Sequence, residues 1–64
     1  MQKPLFPEIR RREILKLLEK TRQISVRELS RQYNVSEVTI RSDLELLAEK
    51  QLIQRTHGGA MALS

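Results

Sequence analysis

Sixty-four residues suffice for one small domain, near the lower limit at which a chain buries an adequate core without staples. The chain has no cysteine, which excludes a disulfide framework or a thiolate metal site, and its single histidine has no imidazole partner with which to hold a metal. A net charge of +4 and a pI near 10.1 favour a polyanionic partner.

That charge is unevenly spread: residues 1–32 hold nine Lys and Arg against four Asp and Glu, and residues 33–64 hold three against four. Any long-range attraction to a polyanion therefore comes from the first half. No stretch has the length of a membrane-spanning helix or the form of a secretory signal, so a soluble, cytoplasmic protein is expected.

Residues 1–7 read as an N-terminal arm punctuated by Pro4 and Pro7, ahead of a domain spanning 8–64. Pro7 suits the first turn of a helix, where its missing N–H costs nothing. From Glu8 to Lys20 the pattern is helical, with Ile14, Leu15, Leu17 and Leu18 on one face; Arg10 and Arg11 intrude near its apolar side.

Two helix starts then follow in the same grammar. Ser25 is a candidate N-cap with Glu28 three residues on, and Ile24 and Leu29 occupy the staple positions around it. Ser36 repeats the pattern, with Val35 and Ile40 as the staple and Thr39 in place of the carboxylate. The intervening helix, Val26 to Tyr33, is short and ends at Asn34, a residue that tolerates the left-handed conformation. Only Asn34, Val35 and Ser36 then join it to a third helix, Glu37 to Lys50, so the crossing is expected to be steep, as in a helix-turn-helix.

Leu52 to His57 and Ala60 to Leu63 read as strands around a Gly58-Gly59 turn. The expected fold is mainly α with a small β-hairpin: a winged helix-turn-helix of three helices plus a C-terminal wing. Its core is expected to hold Ile14, Leu15, Leu18, Leu29, Val35, Ile40, Leu44, Leu47 and Ile53, with Tyr33 at the edge.

A helix-turn-helix places its second helix in the major groove, N-terminal residues at the base edges. The residues expected to read bases are then Val38, Thr39, Arg41 and Ser42. Arg41 can donate two hydrogen bonds to guanine, while Val38 and the Thr39 methyl can pack on a thymine methyl. Phosphate contacts are expected from Arg11, Arg12 and Arg27, from the helix starts at Ser25, Ser36 and Glu37, and from Arg55 and His57 on the wing.

Each assignment has a plainer competitor. Arg41 has Glu37 and Glu45 four residues to either side, an ordinary solvated arrangement contributing roughly 0.2–0.5 kcal/mol per pair. The arginine run of the first helix is equally a solvated face, and His57 a neutral histidine beside a glycine turn. Val38 favours the reading role, since a valine opposite the core stripe gains nothing in water. Asp43 would repel phosphates and lies nearer the apolar side, so it is expected to pair with an arginine of another element. No Ser, His and carboxylate constellation suggests catalysis, and no cofactor is implied.

The chain resembles the N-terminal DNA-binding domain of the DeoR family of bacterial transcriptional regulators. The resemblance runs from Arg10 to Ala60 and rests on Arg10, Ile14 and Leu18, on the run "VSEVTIRSDL" with Ser36, Thr39, Ile40, Arg41, Asp43 and Leu44, and on "RTHGGA". Ser42 departs from the family's usual basic or amide residue, commonly a second arginine, and Gln51 from its frequent glycine. The resemblance implies a repressor of sugar or nucleoside utilisation genes that binds a double-stranded operator. It also implies a longer C-terminal domain, beyond Ser64, that forms a homo-oligomer and senses a phosphorylated sugar. The isolated domain is then expected to be a monomer of weakened affinity. A second reading is a winged helix that assembles with proteins and leaves DNA alone. A third, "IRRREILKLLEK" as a membrane-surface helix, is disfavoured by Glu13, Glu19 and the position of Arg11.

Overall fold

The computed structural model describes residues 6–63. In chain order it comprises α1 (Pro7–Thr21), β1 (Gln23–Ser25), α2 (Val26–Tyr33), α3 (Glu37–Glu49), β2 (Ile53–Thr56) and β3 (Gly59–Ala62). This is a winged helix-turn-helix, with one strand more than a hairpin requires. Residues 1–5 of the expected arm, and Ser64, lie outside the described residues; Phe6 precedes the helix and Pro7 opens it.

The doubled helix starts form as their sequences direct. Ser25 accepts from the Glu28 N–H at 3.0 Å and Ser36 from the Thr39 N–H at 3.1 Å. The reciprocal half of the box differs from expectation: the Glu28 carboxylate accepts from the Ser25 hydroxyl at 3.2 Å instead of from a backbone N–H. Behind these caps one side of each helix turns inward. Ile14, Leu18, Val26, Leu29, Ile40, Leu44, Leu47, Ile53 and Ala60 form the buried core. Leu15 and Val35, expected within it, are only partly buried against its outside, as is Tyr33. Val26 and Ala60, unremarked in the sequence, are inside because both flank the extra strand.

All three helix ends use a left-handed residue other than glycine: Arg22 (φ 72°), Asn34 (φ 54°) and Gln51 (φ 61°). After α3 the Gln51 N–H reaches the Ala48 carbonyl at 2.9 Å and the Leu52 N–H the Leu47 carbonyl at 3.0 Å, the paired bonds of a Schellman ending. Gln51, standing where the resembled family frequently has glycine, is thus left-handed, at a strain of about 1 kcal/mol. Asn34 ends α2 likewise, with Val35 N–H on the Ser30 carbonyl at 3.1 Å. The chain then has only Val35 and Ser36 in which to turn into α3.

Three readings of the connections and the wing are corrected. Gln23–Ser25, taken as connector and cap, is also a strand, and the sheet order is β1-β3-β2, all antiparallel. The strand is three residues long, too short for an alternating pattern to declare it; its pairing with distant β3 makes it. The turn of the wing is His57-Gly58, since Thr56 already pairs with Gly59. Leu52 lies outside β2, and 45% of its surface is exposed. Gly59 is needed for closeness: a Cβ there would stand 2.1 Å from the Ile24 carbonyl oxygen. The turn is pinned from the other side by the Val26 N–H, which donates to the Gly58 carbonyl at 2.8 Å.

Candidate nucleic-acid interface

On α3 the core stripe is Ile40, Leu44 and Leu47, and Asp43 is buried beside it. The opposite side carries Val38, 71% exposed, next to exposed Arg41 and Ser42 and partly exposed Thr39. These are the four residues expected to read bases, and the structure brings them together at the start of one helix. The Ser36 cap engages the Thr39 N–H, so the amides of Glu37 and Val38 precede the first intrahelical acceptor and remain open to an anion. The hydroxyls of Ser36 and Thr39 also bond each other at 2.9 Å. In the free domain Arg41 is paired: its Nη2 donates to Glu37 Oε1 at 3.2 Å, the arrangement anticipated from the four-residue spacing.

Asp43 makes the connection that holds this helix to the first. It is 1% exposed and accepts from Arg10 Nε, from Arg10 Nη2 at 3.0 Å and from Arg11 Nε at 3.0 Å. Arg10 is itself buried, at 6% exposure. The hydrogen bond to Asp43 holds the Arg10 guanidinium above its ordinary pKa, with burial opposing it. The intrusion of arginines into the apolar side of α1 is therefore the other half of a buried ion cluster. Arg11, expected at a phosphate, is half buried with its Nε committed to Asp43.

Of the remaining residues expected at phosphates, Ser25 and His57 line one open groove of about 480 Å³ between the start of α2 and the wing turn, which brings the cap and the wing histidine to one place; Glu28 and Thr56 share that groove. Arg12 and Arg27 are exposed. Arg55 is less free than its sequence suggests. Its Nε donates to the Gly59 carbonyl at 3.2 Å, and its Nη1 lies 3.9 Å from Glu45 of α3, tying wing to helix. Among the described residues no helix is long and apolar enough to cross a membrane.

The DeoR-like helix-turn-helix domain family matches this chain over residues 10–64. The chain belongs to that family. It is 46% identical over 59 residues to the HTH-type transcriptional regulator GolR of Listeria innocua, an alignment covering 92% of this chain and 23% of the relative. It is also 46% identical over 56 residues to the glycerol-3-phosphate regulon repressor of Haemophilus influenzae, covering 88% and 22%. Against the lactose phosphotransferase system repressor of Staphylococcus epidermidis the identity is 40% over 52 residues, covering 81% and 21%. No solved structure matches. The chain spans less than a quarter of the length of these relatives. The ion cluster is thus a feature of a DeoR-like domain whose sequence signal, an Asp on the apolar side of α3 facing misplaced arginines on α1, was visible in advance; the third strand had no such signal.

Proposed function

We propose that this DeoR-like domain binds a double-stranded operator by inserting the start of α3 into the major groove, and that it serves a repressor of carbohydrate-utilisation genes. The observation that carries this reading is the outer face of α3, where an exposed valine stands with Thr39, Arg41 and Ser42 beside a helix start with open amides. An apolar side chain at a solvent-facing position has a use when it meets a thymine methyl. Arg41 takes a guanine, and the open amides of Glu37 and Val38, with Ser36, take a phosphate.

The backbone is held from the flanks: by Ser25 and His57 in their shared groove, by Arg12 and Arg27, by Arg55 along the wing, and by the terminal nitrogens of Arg11 while its Nε stays on Asp43. Most of the attraction is nonspecific and comes from the basic first half. The carbohydrate assignment draws on relatives named for glycerol-3-phosphate and lactose regulons. Oligomerisation, and recognition of a phosphorylated sugar, belong to parts of such a protein outside this domain. The isolated domain is then a monomer that grips one half-site in the cytoplasm. No chemistry is assigned to it; its work is binding.

The test is selection from a random duplex pool at several salt concentrations, followed by titration of the enriched sequence. Arg41→Ala is expected to lose about 1–3 kcal/mol on the enriched sequence while binding to unrelated duplex is unchanged. Equal loss on both sequences overturns the assignment of Arg41. Absence of binding even at low salt turns the reading to a winged helix that assembles with proteins.

A further inference from the structure

We propose that the Glu37 carboxylate selects a base: it accepts from the N4 amino group of a cytosine lying next to the guanine that Arg41 contacts. This rests on α3 being the helix that enters the groove. Glu37 opens that helix and Arg41 follows one turn later on the same outer face, with Nη2 and Oε1 3.2 Å apart and side chains 52% and 42% exposed. Their charges cancel locally, so the tip of α3 adds nothing to long-range attraction, which resides in the first half of the chain. What the pair offers is a donor and an acceptor held side by side.

A carboxylate carried into the groove is repelled by the phosphates on both walls, and it is accommodated only opposite a hydrogen-bond donor. In the major groove guanine and thymine edges present acceptors. Adenine presents a donor beside its N7 acceptor, and cytosine presents the N4 donor alone. The carboxylate therefore favours cytosine and excludes the other edges by unpaired like charge, selection by rejection as much as by attraction. Nη2 of Arg41 carries two protons, so it can keep one on Glu37 and give the other to the guanine. The existing ion pair thus holds the arginine near its reading conformation before DNA arrives. Of the next two carboxylates along the helix, Asp43 is buried on Arg10 and Arg11, and exposed Glu45 faces Arg55 at 3.9 Å.

Glu37 also suits the helix dipole, but that role leaves base preference untouched, and this separates the two. Random-duplex selection is run with the wild-type domain, Glu37→Gln and Glu37→Ala, each checked for helix content by circular dichroism. The wild type is expected to enrich cytosine beside the Arg41 guanine. Glu37→Gln moves that one column towards adenine, whose N6 and N7 an amide can engage, changing the preference about tenfold, and Glu37→Ala flattens it. Other columns stay as they were. If both variants bind every sequence more tightly by one common factor, with no column altered, Glu37 only repels phosphate and the proposal falls. If the wild type enriches no motif, the operator-binding reading fails and this inference goes with it.

Discussion

Replacing Asp43 by alanine removes the acceptor for three hydrogen bonds from Arg10 and Arg11, and leaves Arg10 charged at 6% exposure with no partner. Breaking a buried ion pair from one side costs about 3–5 kcal/mol, because the surviving charge keeps its desolvation and loses its compensation. A domain of this size is stable by roughly 3–10 kcal/mol at typical per-residue values. Asp43→Ala should thus be marginally folded at 25 °C or unfolded outright. Urea titration followed by the helical circular dichroism signal measures the difference, provided that the slope of the transition is unchanged.

The double variant Arg10→Met, Asp43→Leu removes both charges and fills the site with apolar atoms. It is expected to recover most of the loss, since well-packed hydrophobic replacements of buried pairs are often neutral or better. A loss below about 1 kcal/mol in Asp43→Ala would refute the claim that the cluster is dry and tightly coupled. Equal damage in the double and single variants would refute the claim that the uncompensated charge is the cause.

The remaining predictions concern the wing and the edge of the core. Gly59→Ala would set a Cβ 2.1 Å from the Ile24 carbonyl and 2.8 Å from Ser25 Cα, both backbone atoms, so β1 must part from β3. We expect a loss of about 1–3 kcal/mol, whereas Gly58→Ala, which meets nothing within 4 Å, should be neutral or slightly stabilising; equal melting temperatures for the two would argue against the close approach of these strands. Tyr33 is the only tyrosine, and its pKa is raised above the ordinary value, first by burial and then by Glu13. Its absorbance at alkaline pH should therefore titrate above a denatured control, and Glu13→Gln should narrow the gap without closing it. With a folded pKa above the unfolded one, Tyr33 contributes stability that is fully present below the unfolded value and disappears as pH rises through the folded one; stability that rises across that range would contradict the assignment.

What could be read in advance was local. Ser25 and Ser36 cap helices because a hydroxyl three residues before an orphan N–H needs nothing else from the fold, and Asn34 ends α2 because its own side chain tolerates the left-handed backbone. Gln51 stood out only through the family resemblance, as a place where glycine is frequent; its left-handed backbone came from the structure. The four residues on the outer side of α3 followed from a 3.6-residue period and one cap, and Asp43 from its position on the wrong side for solvent. The cluster was half legible: the need for an arginine partner could be inferred, but not that Arg10 and Arg11 would both supply it, leaving Arg11 only partly available for DNA.

Tertiary structure decided what depends on residues far apart in the chain. Gln23–Ser25 is a strand only because β3 runs beside it, with Ile24 opposite Ala60 and Ser25 opposite Gly59. That pairing buries Val26 and Ala60 and brings the Ser25 cap and His57 to one groove. A three-residue segment has too few positions to display a period, and the closeness that requires Gly59 lies between backbones over thirty residues apart. By itself the sequence determined where each helix starts, where it stops and which face it turns to the core, because caps and periodicity act within a turn or two of chain. The sheet, the partners of Asp43 and the meeting of α2 with the wing waited on the fold, because their energies exist only once distant segments touch.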